Sequence, residues 1–200
     1  LLKRETEWAI IVDADEFMYG RNGYTIKSYV DTIDNEIGCV YVIWNIINPS
    51  KDINGNLTTT FSLKKNTKRI NYDKIRNAPI EVLIANDYGK SLIRTSMLKD
   101  NIGLWLHKNS VSGKIVNNYG FNKNMNYDNI NEIEYSEANF ANVNISLNHY
   151  AIRNAADYEK KAKQINVIHE KNAFIKGLFI MIDLDDSYLI KDTGIADKIK

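Results

Sequence analysis

The sequence predicts an α/β domain, and three consecutive segments predict it. "EWAIIV" (7–12) is short, apolar and closed by acids, as a buried strand is. "TIKSYVDTIDNE" (25–36) places Ile26, Tyr29, Val30 and Ile33 at helical spacing behind Thr25, a residue suited to an N-cap. "GCVYVIWNII" (38–47) is β-branched and aromatic, hence a second strand. Strand, helix, strand is a βαβ unit, the seed of a parallel sheet with helices against it.

The remaining elements follow in order. "NPSKDINGN" (48–56) is full of turn formers and reads as a loop. "KSLIRTSML" (90–98) and "GLWLHK" (103–108) read as two strands joined by a turn, and the Asn-rich stretch 116–129 as loop. "VNISLNHY" (143–150) alternates as a strand does. Residues 154–177 read as one helix, capped by Asn154, with acids early and lysines late to suit the helix dipole.

Composition narrows the function. The 200 residues suit one domain, 1–200, with 44% hydrophobic and 26% charged residues, the balance of an ordinary globular protein. A net charge of +1 gives no bulk field for nucleic acid or an anionic membrane. Lys64, Lys65, Lys68 and Arg69 read as a solvated basic face. The single cysteine, Cys39, excludes an internal disulfide, fits a reducing, cytoplasmic setting and reads as a buried strand thiol. No apolar run reaches the roughly 20 residues that cross a bilayer, although a peripheral membrane location stays compatible.

Chemistry concentrates at "WAIIVDADEFMYG" (8–20), where an apolar strand ends in Asp13, Asp15 and Glu16. Ligands in open α/β sheets bind beyond the carboxyl ends of the strands. In an extended segment, residues i and i+2 project to one side, so Asp13 and Asp15 offer paired hard oxygens suited to Mg²⁺ or Mn²⁺. Close carboxylates repel, and something positive should stand between them. The structural alternative is a solvated acidic turn that starts a helix.

The segment resembles the D-x-D-E-F motif of GT-A glycosyltransferases, in the family-2-like and family-92-like groups. "VYVIWNI", "KSLIRTSML" with "LWLHK", and "LNHYAIRNAADYEKKAKQ" resemble later segments of that family in the same order. The resemblance implies a metal-dependent, inverting transfer of a sugar from a nucleotide-diphosphate donor to a hydroxyl of a glycan or other acceptor, as in polysaccharide biosynthesis. Asp15 would ligate the metal, Asp13 would share it or face the ribose, and Glu16 would orient the donor or a metal-bound water. Lys90 and Arg94, four apart on one strand, would neutralise the departing diphosphate. His107 would complete the metal site, with His149 as the alternate, whereas His169 lies in a charged helix. Trp44 and Trp105 suit a sugar ring or, more commonly, the core. Asp52, Glu81 and Asp87 are candidate bases, and no spacing singles one out.

Three features depart from the family. "WNIINPSKDING" stands where glycine and histidine are usual, and Asn154 replaces a serine cap. Only twelve residues precede Asp13, where the family places the half of the domain that grips the nucleotide. The chain thus reads as the C-terminal part of a GT-A domain, with its first strand left as an edge. Alone it is expected to be inactive, to bind nucleotide sugar weakly and to associate. Two rival readings use the same residues: a haloacid-dehalogenase-like phosphatase built on Asp13 and Asp15, and a non-catalytic binding domain. The phosphatase family wants Thr or Val after its motif, where this chain has Glu16 and Phe17.

Overall fold

A computed structural model describes residues 5–99, 110–120, 136–168 and 173–199. The chain is mixed α/β, with a mixed sheet flanked by helices. It forms two compact units, one drawn from residues 1–44, 87–134 and 138–147, the other from 45–86, 135–137 and 148–200.

In the first unit, β1 (Trp8–Ala9) lies antiparallel to β5 (Gly89–Arg94), with Trp8 opposite Arg94. The other edge of β5 pairs antiparallel with β3 (Ile37–Asn48), where Val42 faces Lys90. The expected parallel neighbours β1 and β3 are therefore separated by a reversed strand. β6 (Lys114–Asn117) runs parallel to β3 on its other edge. β7 (Ile145–His149) pairs with β3 and with β2 (Glu16–Gly20). The core holds Cys39, Tyr41, Ile43, Leu92, Ile93, Ile145 and Leu147, so Cys39 is the buried strand thiol expected of it.

Several local expectations change. The first strand keeps only Trp8 and Ala9 in register, and Ile10 and Ile11 are half-buried rather than interior, since β5 is the one strand paired with it among the described residues. Helix α1 (Ile26–Val30) starts at Thr25 as expected. Thr25 Oγ1 accepts the Ser28 N–H and Ser28 Oγ accepts the Thr25 N–H, a reciprocal capping box. It stops within two turns at Asp31. The "Asn-rich loop" supplies the end of β6 and a buried bridge: Asn118 donates from its main chain to the Tyr41 carbonyl. Its Oδ1 accepts from Ile43 N–H, and its Nδ2 donates to the Ile145 carbonyl. The strand expected at 103–108 lies outside the described residues.

The second unit begins in the same long β3. Ile47 and Asn48 pair antiparallel with β4 (Lys68–Ile70), which pairs antiparallel with β8 (Leu189–Lys191). Helix α2 (Ile80–Asn86) packs on α5 (Ala173–Asp183), burying Val82 and Ala85 against Leu178 and Met181. Gly177 makes that approach possible, because a Cβ there would lie 2.1 Å from the Glu81 carbonyl oxygen. Of the helix expected over 154–177, the structure describes α4 (Ala155–Ile168) and the start of α5, residues 169–172 lying outside the described residues, and α5 continues past Gly177 to Asp183. Asn154 caps α4, its Oδ1 accepting the Asp157 N–H at 3.0 Å. A short helix, α3 (Glu137–Ala141), precedes β7 in the chain. No helix among the described residues is long and apolar enough to cross a membrane.

Candidate functional site

The positive group demanded by the acids is Lys90. Its strand is held between β1 and β3, and its side chain has no exposed surface. Gly89 lets β5 press close to β3, since a Cβ at that position would meet the Val42 carbonyl oxygen at 2.2 Å. The Lys90 ammonium donates to Asp13 Oδ2 at 2.7 Å and stands 3.5 Å from Glu16 Oε1. On another side it lies 5.7 Å from the centre of the Trp44 ring, a cation–π distance. Trp44 is buried and stacked on Tyr88, with centroids 6.0 Å apart, so its role is to wall in the lysine.

The acids sit on a turn rather than on an extended strand end. Glu16 N–H donates to the Asp13 carbonyl at 3.0 Å, and Asp13 N–H returns a hydrogen bond to Glu16 Oε2 at 2.9 Å. Same-side projection by strand alternation therefore does not apply to Asp13 and Asp15. Glu16 does not start a helix either; it opens β2, with its carboxylate wholly buried. Asp13 keeps half of its side chain, 51%, at the surface, and Asp15 is half-buried. Burial raises the Glu16 carboxyl above its ordinary value, against the opposing pull of the Asp13 N–H and the Lys90 charge. The turn thus brings two carboxyl groups, those of Asp13 and Glu16, to one ammonium, with Asp15 on the same turn and half of the Asp13 side chain at the surface.

Arg94 has a different occupation at the far end of the strand. Its Nη1 donates to Glu7 Oε1 at 2.7 Å, and Nε and Nη2 donate to the carbonyls of Ile37, Ile33 and Asp34. The guanidinium also lies over the Trp8 ring at 4.5 Å. It clamps β1 to the turn after α1, and only Lys90 of the two cations reaches the acids.

The other predicted residues are dispersed. Asp52 Oδ1 accepts the N–H groups of Asn54 and Asn56, closing its own loop. Glu81 occupies the first turn of α2, and Asp87 follows that helix half-buried. His149 is buried at the end of β7, in the second unit. His107, Trp105 and His169 lie outside the described residues. Among the described residues, no group of three or more His, Cys, Asp or Glu side chains is placed to hold a metal ion.

Sequence reasoning missed a second charged centre. Arg69, expected on a solvated face, is 4% exposed in the second unit. It makes paired 2.7 Å hydrogen bonds to both oxygens of Glu137 and one of 3.1 Å to Asp192 Oδ2, and lies over Tyr72. Burial alone would lower its pKa, and the two carboxylates reverse that and raise it. Tyr72 continues the network through its hydroxyl to Asn45 Oδ1 at 2.6 Å, and Asn45 Nδ2 donates to Asn148 Oδ1. The partners are 68 and 123 residues from Arg69, so no local pattern announces them.

Comparison with protein-family models finds no match to this chain, and comparison with curated proteins finds none either.

Proposed function

We propose that the Asp13–Glu16 turn is the donor site of a metal-dependent glycosyltransferase of GT-A type. In this reading Asp15 and Asp13 meet Mn²⁺ or Mg²⁺ with the diphosphate of a nucleotide sugar, and the acceptor is a glycan or other hydroxyl. The observation that carries it is the buried Lys90 tied to Asp13 and Glu16, with Asp15 on the same turn and Asp13 half exposed. Lys90 fixes the buried side of the Asp13 carboxylate, and its exposed side is where a divalent cation would be met. The metal supplies Lewis acidity toward the leaving diphosphate. Lys90 holds Asp13 in one orientation, Trp44 walls in the Lys90 ammonium, and Glu16 holds the turn closed through the Asp13 N–H. His107 is the third ligand in this proposal.

Asp15→Asn in the full-length gene product is expected to lower Mn²⁺-dependent sugar transfer by about a thousandfold, the scale of losing a group that stabilises developing charge. Unchanged turnover across a panel of nucleotide sugars would refute the assignment. A second reading, a binding domain without transfer, is favoured by one observation: the described residues contain no preassembled three-ligand group. Retained binding of nucleotide sugar with no turnover in the full-length protein would select it.

A further inference from the structure

A cleft of about 490 Å³ opens in the second unit, formed by the loop after β3, the strands β4 and β8 and the end of α5. Its size falls within the range of small-molecule sites. Four lysines line it, Lys51, Lys65, Lys68 and Lys191, against two aspartates, Asp52 and Asp186. The charges are only partly balanced. Lys68 is held by both oxygens of Asp186, at 2.8 and 2.9 Å. The Asp52 carboxylate is turned to backbone N–H groups of its own loop. Lys51 gives one donor to the Ile182 carbonyl at 2.7 Å and keeps two.

A second, independent observation points to an anion. Lys68 and Lys191 are direct partners in the antiparallel β4–β8 register. Like charges in that position destabilise a sheet, and Asp186 relieves only one of them. With Lys65 on the chain just before β4, the pair leaves a surplus of two positive charges, the complement of a phosphate dianion. The rest of the wall is mixed, with Pro49, Ile182 and Leu189 apolar and Asn48, Ser50 and Thr67 polar, and Ile53 stands fully exposed at its rim. Such a wall suits the organic part of a ligand.

We infer that this cleft binds a phosphorylated small molecule, its phosphate between Lys65, Lys68 and Lys191 and its organic part against Ile182 and Leu189. The inference does not depend on the donor site, because every residue it uses lies in the second unit. The test is calorimetry of the 200-residue chain in low salt and EDTA with ribose 5-phosphate, inorganic phosphate and ribose. Ribose 5-phosphate should bind, inorganic phosphate more weakly, and ribose not at all. Lys65→Gln with Lys191→Gln should weaken ribose 5-phosphate about tenfold with the circular dichroism preserved and the melting temperature equal or raised, from loss of two nearby charges. Lys160→Gln with Lys163→Gln, an equal change in net charge on α4, should leave binding intact. Binding should also persist in Asp15→Asn, separating this cleft from the acidic turn. No heat from either phosphate, equal losses in the two double variants, or loss in Asp15→Asn would each overturn the proposal. Equal affinity for inorganic phosphate would overturn its organic half.

Discussion

Lys90 carries its charge with no exposed surface, so its free energy is set by Asp13, Glu16 and the Trp44 ring rather than by water. Removing one member of such a buried pair strands the other. Lys90→Met should therefore cost about 3 kcal/mol at neutral pH in urea unfolding. Adding Glu16→Gln should recover part of that loss, because the stranded buried carboxylate is then neutral. Glu16 also sets a pH dependence. Its folded pKa lies above the unfolded value of 4.5 because burial disfavours the anion. The folded protein therefore holds that proton more firmly, and the stability it contributes is complete below the unfolded pKa. It is lost as pH rises through the folded one. Unfolding free energies measured from about pH 4 to 7, which spans the ordinary carboxyl value, should decline less in Glu16→Gln than in the parent. An unchanged slope would show that the Glu16 carboxylate is solvated.

Contacts between elements depend on a few small residues. Helices α2 and α5 meet where Gly177 faces the main chain of Glu81, and the opposing atom is a carbonyl oxygen that cannot rotate away as a side chain would. Gly177→Ala is expected to destabilise by about 2 kcal/mol, the overpacking range, despite alanine's better helix propensity. Thermal unfolding checks the sign, and a gain in stability would mean that the two helices separate readily. The helix start at Asn154 is a separable, local contribution, worth about 1 kcal/mol by comparison with other side-chain caps.

Neither unit of the whole molecule is a continuous stretch of chain. β3 supplies Ile37–Trp44 to one and Asn45–Asn48 to the other, and Arg69 finds its carboxylates only in segments much later in the sequence. Residues 45–86 expressed alone should therefore be unfolded by circular dichroism, since Arg69 would lack Glu137 and Asp192, and α2 would lack α5. In the intact chain, Arg69→Met should cost about 3 to 5 kcal/mol, because two carboxylates lose their shared cation. A folded 45–86 fragment would show that local propensity suffices for that unit.

By itself the sequence determined what is local in this protein. Alternation and β-branching marked β3 and β7, Thr25 and Asn154 marked two helix starts, and crowded acids after an apolar run marked the Asp13–Glu16 segment, though as a strand end rather than the turn it forms. It also required a positive partner for those acids. The tertiary structure decided which one: Lys90, brought 77 residues along the chain by insertion of β5 between β1 and β3. It likewise put Arg69 inside, split Lys90 from Arg94 in function and limited the first strand to two residues. Local patterns record the pleat, the helical turn and the cap because those depend on neighbours a few residues apart. Strand order and the pairing of buried charges depend on which distant segments share a desolvated space, and composition and spacing carry no trace of that.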